Sequence, residues 1–131
     1  MILVDTSVWI DFFASRDLPH AVALEQSIID NDDLAICGIV LTEILQGISD
    51  DTTHRRVRRY LRPLIMLPMH EAVFIRAAAI YRTLRKQGIT IRKTNDCIIA
   101  ATAMRHHCEL LHNDRDFDLI AKHHPLKVWD Q

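Results

Sequence analysis

The chain alternates short apolar runs with longer stretches in which apolar residues recur every three or four positions. Ile2-Leu3-Val4 is the first run, brief and β-branched, as a strand buried on both faces should be. Val8, Trp9, Phe12 and Phe13 then recur at helical spacing, with Thr6 or Ser7 placed to cap that helix. Pro19 opens a second helix, about 20–31. Leu34–Cys37 is a second strand, broken by Gly38. A greasy helix over about 39–48 comes next, then a basic helix over 50–62 that Pro63 ends. Leu64–Leu67 is a third strand, and a long helix runs from about 70 to 87, ending near Gly88. Thr94 caps a helix over 95–107 whose small residues let it lie close on a sheet. Leu110-Leu111, a short helix over 117–121 and a last strand over 126–128 complete the pattern.

Strands alternating with helices, without repeats or a low-complexity linker, predict an α/β fold with a mainly parallel sheet, residues 1–131 forming one domain. In such a sheet every strand ends at the same edge. Ligand sites of open parallel sheets lie at that edge. Asp5 follows the first strand and Asp114 the fourth, so both reach it. Asp96 lies in the first turn of a helix, where free N–H groups and the dipole favour an anion.

Charge sharpens the picture. The chain of 131 residues has a net charge of −1, yet residues 54–93 carry +10, residues 1–53 carry −9 and residues 94–131 carry −2. The run Arg55, Arg56, Arg58 and Arg59 is either a solvated helix face or a surface that tracks phosphates. Arg92 and Lys93, just ahead of Asp96, are better placed for a substrate phosphate. Cys37, Cys97 and Cys108 show no CxxC spacing and read as buried free thiols of a reducing compartment. No apolar run is long enough to span a bilayer, and no basic secretory start precedes the first apolar run, so the expected location is cytoplasmic.

Asp5 stands between Ile2-Leu3-Val4 and Val8-Trp9-Ile10, and Glu43 among Val40, Leu41, Ile44 and Leu45. An ionised carboxylate in such surroundings is costly unless paired or bound to a metal. Asp96 alone could be a first-turn helix acid, and Asp114 alone a turn residue. The four together, with Asp116 as a further ligand, repel one another, and a cation resolves that repulsion. All-oxygen donors suit Mg²⁺ or Mn²⁺ rather than zinc. Thr6, Ser7 and Asn95 are placed to orient carboxylates or waters. The eight histidines show no HExxH or Cys/His zinc spacing, and no glycine-rich phosphate loop is present.

Four stretches together resemble the PIN-domain ribonucleases, in particular the VapC-like toxins. They are Met1 to Asp11; Ile39 to Gly47, with Thr42-Glu43; Thr94-Asn95-Asp96-Cys97-Ile98-Ile99-Ala100-Ala101; and Leu110 to Phe117, with Asn113-Asp114-Arg115-Asp116. The resemblance implies a PIN-like three-layer fold with a five-stranded sheet between helices. It also implies a Mg²⁺- or Mn²⁺-dependent endoribonuclease, with Asp5, Glu43, Asp96 and Asp114 as the acidic site and Asp116 as second acid of the last motif. The implied reaction is hydrolysis of an RNA phosphodiester by water that a divalent cation activates. The implied partners are an RNA substrate, a cognate antitoxin, a second copy of the chain and, through the antitoxin alone, DNA.

Two other classes share a small α/β frame with an acidic pocket. A phospho-accepting signalling domain wants two adjacent acids after its first strand, and here Thr6 follows Asp5. A non-enzymatic binding module would use the acids to cap helices and pair with arginines.

Overall fold

A computed structural model describes residues 1–129. The chain folds as β1 (Ile2–Val4), α1 (Thr6–Phe13), α2 (Pro19–Ile29), β2 (Leu34–Cys37), α3 (Gly38–Gln46), α4 (Asp51–Leu61), β3 (Ile65–Leu67), α5 (Glu71–Lys86), α6 (Thr94–Arg105), β4 (Glu109–Leu111), α7 (Arg115–His123) and β5 (Lys127–Val128). The five strands form one sheet in the order β3-β2-β1-β4-β5, and every pairing is parallel. The α/β expectation holds, with an all-parallel sheet in place of a mainly parallel one.

Strand position follows from sequence. β1 and β2 are apolar throughout and buried throughout, the mark of strands covered on both faces. β3 and β5 are the sheet edges, and there the burial lapses: Ile65 and Met66 are exposed. Leu3 pairs with Ala35 on one side and Leu110 on the other, so the first strand of the chain is the central one. α5 packs on α6, whose Ala100, Ala101 and Ala103 are completely buried. Those small side chains are what let α6 sit close among its neighbours.

Helix boundaries shift by one to two residues from the sequence expectation, and the caps explain why. Asp5, still extended, is the residue before α1, and its side chain accepts the Ser7 amide. Thr6 and Ser7, expected as caps, already lie inside the helix. Thr94 is likewise the first helical residue of α6, and Lys93 stands at the cap position without a side-chain bond. Gly38 ends β2 as expected, and α3 opens on it, one residue earlier than the sequence suggests. Gly88 has φ +79° and turns the chain out of α5 in the left-handed conformation that glycine adopts freely.

The strand order decides where a site can form. The chain builds outward from β1 to β2 and β3, then returns to the other side of β1 with β4. Between β1 and β4 the winding reverses, and open α/β sheets form a crevice at that reversal, beyond the strand C-termini.

Candidate metal centre at the strand C-termini

Asp5 follows β1 directly, and its amide donates to the Leu111 carbonyl at 2.9 Å, extending the β1–β4 ladder by one bond. A short way past Leu111, Asp114 caps α7. The reversal of winding therefore brings both residues to the same crevice. α6 adds Asp96 from its first turn, and α7 adds Asp116 from its own.

Asp96, Asp114 and Asp116 each present a carboxylate oxygen within 4.8 Å of the other two. Asp5, Asp96 and Asp116 are about 95% buried. The Asp96 carboxyl is pushed up to about 7, first by burial, then by the negative charges of Asp5 and Asp114; Lys93 pulls it down. Its Oδ2 is buried without a hydrogen-bond partner among the described residues. Burial also raises Asp5, against the pull of Ser7.

Hydroxyls fix the other acids. Ser7 donates its hydroxyl at 2.6 Å and its amide at 3.1 Å to Asp5 Oδ2. The same hydroxyl accepts the Asn113 amide at 3.2 Å, tying α1 to the end of β4. Thr6 donates to Glu43 Oε1 at 2.8 Å. Glu43 is half-buried on α3 rather than enclosed. Asn95 is half-buried, and no hydrogen bond ties it to a site carboxylate among the described residues.

The sequence-predicted acids thus come together in two linked parts: the triplet Asp96, Asp114 and Asp116, and the pair Asp5 and Glu43, coupled to each other and, through Asp5, to Asp96. Asp116, expected as an additional ligand, sits inside the triplet. Arg92 reaches it: the guanidinium lies 3.5 Å from Asp116 Oδ2 and 3.6 Å from Asp114 Oδ1. The arginine run on α4 fares differently. Arg59 lines a cavity with Asp33, Leu34 and Ile65, at the starts of β2 and β3, on the sheet edge opposite the carboxylates. Arg58 faces a groove with Leu41 and Met66.

Sequence reasoning misses His112. Its Nδ1 accepts the Asp114 amide at 3.0 Å, which leaves the ring hydrogen on Nε2. The ring packs on Phe117, with centroids 5.1 Å apart, and so fixes the turn that presents Asp114. Only its position two residues before Asp114 could have signalled this.

The donor set fits a hard divalent cation. All donors are carboxylate oxygens, the triplet spacing suits ligands around one ion, and a buried oxygen stands unpartnered among the described residues. Cys97, a soft donor beside the acids, is pushed up to about 11 by burial and by Asp96 and Asp116, and stays a neutral thiol.

A family model described as PIN domain matches residues 2–123. The chain belongs to the PIN-domain family. It is 41% identical over 124 residues to a VapC ribonuclease of Mycobacterium bovis, covering 93% of this chain and 92% of that one. It is 30% identical over 131 residues to the ribonuclease VapC1 of Methanocaldococcus jannaschii, covering 99% and 88%. Among solved structures it is similar to FitAcB from Neisseria gonorrhoeae, with a TM-score of 0.74, 27% identity and coverage of 99% and 97%. It shares the fold of VapBC2 from Rickettsia felis, solved bound to a promoter DNA fragment, with a TM-score of 0.76 at 22% identity over 99% and 100%. The PIN fold is thus the frame on which the acids converge.

Proposed function

We propose that this PIN-domain protein, as a single domain over residues 1–131, is a Mg²⁺- or Mn²⁺-dependent endoribonuclease and the toxin of a toxin–antitoxin pair. One observation carries the reading: three carboxylates converge within 4.8 Å, and a buried oxygen of one has no partner among the described residues. A scaffold would pair such acids or leave them in water. Relatives named as ribonucleases at 41% identity support the same reaction class.

Asp96, Asp114 and Asp116 hold the cation, with Asp5 and Glu43 completing the acidic centre. When bound, the cation lowers the pKa of a water and neutralises charge developing on the phosphate. The chain's own residues do the positioning. Ser7 holds Asp5 in one rotamer while linking α1 to β4. Thr6 holds Glu43 toward the crevice entrance. His112 and the α7 cap fix Asp114. Arg92 and Lys93 supply positive charge at the rim, where RNA phosphates approach.

The antitoxin reading draws on structural neighbours described as toxin–antitoxin complexes. DNA contact is then indirect, through the antitoxin. Exposed Phe74 and Ile75 on α5 support a homodimer. Among the described residues no helix is long and apolar enough to cross a membrane; a cytoplasmic location suits the free, buried thiols.

The decisive experiment is cleavage of total RNA by the antitoxin-free protein with Mg²⁺ or Mn²⁺, beside EDTA, Asp5→Ala and Asp96→Ala. Discrete fragments that vanish in all three controls are expected. A folded, metal-bound wild type that leaves every RNA intact overturns the reading.

A further inference from the structure

Several carboxylates in one crevice repel a polyanion. A single divalent cation offsets only part of that charge, so a strand of RNA needs further positive groups within one nucleotide of the scissile bond. Arg59 of the long arginine run does not provide one, since it lies at the opposite sheet edge. A different part of the chain does.

A cleft of about 490 Å³ opens between the Gly88–Arg92 loop and the start of α7. Its lining includes Ile89, Thr90, Arg92, Arg115, Asp116 and Leu119. The volume falls in the ~300–1,000 Å³ range of small-ligand clefts, enough for a nucleotide. Asp116 belongs both to this lining and to the acid triplet, so the cleft adjoins the metal centre through one shared wall. Arg92 straddles that wall: its guanidinium touches Asp114 and Asp116 yet is 68% exposed. Arg115 is exposed and carries no ion pair among the described residues. Ile89 and Leu119, both half-buried, give the cleft apolar surface.

We propose that this cleft is a nucleotide subsite: it receives the residue of an RNA strand next to the scissile phosphate. Arg115 and Arg92 hold the flanking phosphate, and Ile89 and Leu119 pack against the base or ribose. This rests on the ribonuclease reading and adds to it where the strand lies and which residues set its base preference. Arg115 is the phosphate anchor that the sequence pattern does not single out. Arg92, already beside the carboxylates, bridges strand and metal centre.

The test first maps the wild-type cleavage site on total RNA, then measures kinetics on an oligonucleotide spanning it. Arg115→Gln is expected to raise KM by about tenfold, the scale of one charge-assisted contact. Its salt dependence should lose about one unit of slope. Mn²⁺ affinity, titrated without RNA, should stay at the wild-type value, since Arg115 touches no carboxylate of the triplet. Leu119→Trp, which fills the cleft, should shift the base preference beside the cleavage site. Arg105→Gln, on an exposed position at the far end of α6, is the control and should change none of these. Wild-type KM, salt slope and base preference in both cleft variants would overturn the subsite while leaving the nuclease standing. A wild type that cleaves no RNA removes the nuclease reading, and the subsite with it.

Discussion

Two buried aspartates at either end of α1 are treated in opposite ways. Asp11, 7% exposed, is neutralised within the chain: Arg16 Nη1 lies 2.6 Å from Oδ1, and His20 Nε2 lies 2.5 Å from Oδ2. These partners hold its carboxyl below the usual range, His20 first and Arg16 next. Asp5, 5% exposed, gets a serine hydroxyl and the helix cap but no cation, and its carboxyl rises. Asp96 fares worse still. The chain can pair a buried acid when the purpose is to lock α1 onto α2. At the sheet edge it leaves the acids short of positive charge, and that deficit is what a cation fills.

The contrast between the two acids breaks most sharply on activity. Asp96→Asn should slow RNA cleavage by about 10³-fold, some ~4 kcal/mol of barrier. The same change should raise the thermal midpoint of the protein in EDTA, because it removes a repelled charge. Asp11→Asn should do the reverse. Losing a partly exposed ion pair and the bond to His20 should cost about 1–2 kcal/mol, read as a lower urea midpoint, while cleavage per folded molecule is retained. If Asp11→Asn abolished cleavage in fully folded protein, the division between locking and catalytic acids would fail.

A smaller effect is expected from Ser7→Ala, which should weaken Mn²⁺ binding by about tenfold as Asp5 loses its orienting hydroxyl. Unchanged affinity would show that the cap amide alone suffices.

The finest contrast lies in pH. Folding raises the Asp96 carboxyl from 3.8 to about 7. A raised carboxyl binds more protons in the folded state, so its contribution is present below 3.8 and is lost as pH climbs toward about 7. Asp11 is lowered, so its contribution is present above 3.8 and is lost as pH falls through its folded value. Urea titrations in EDTA should therefore show Asp96→Asn removing a decline on the neutral side and Asp11→Asn removing one on the acid side. Mg²⁺ should restore wild-type stability near pH 7 and above, where the site acids are ionised.

The α/β order is legible in the sequence because buried strands of three or four apolar residues stand out against helical periodicity. Asp5 and Glu43 are legible because an acid inside an apolar run violates that pattern. Pairing across turns is not. Arg16 and His20 meet Asp11 only because Ser15, at φ 56°, reverses the chain between α1 and α2. The caps fall on Asp5 and Lys93 rather than on Thr6 and Thr94: hydroxyls are the commoner signal, whereas backbone angles decide which residue precedes the helix. The arginines of α4 stand out as a run, yet a run in sequence carries no information on which sheet edge it meets. Arg92, expected near the acids because it just precedes Asp96, does lie at the crevice, whereas Arg115, which also lines the adjoining cleft, has no such signal in the sequence.

The central place of β1 has a consequence for how the protein comes into being. Its acidic centre joins Asp5 to Asp116, 111 residues later. At ~5–20 residues per second that separation is roughly 6–20 s of synthesis. Until β4 has slid in beside β1, a nascent chain on the ribosome carries Asp5 and Glu43 but no triplet. The acidic triplet, and with it any cation site built on it, is therefore among the last parts of the fold to form.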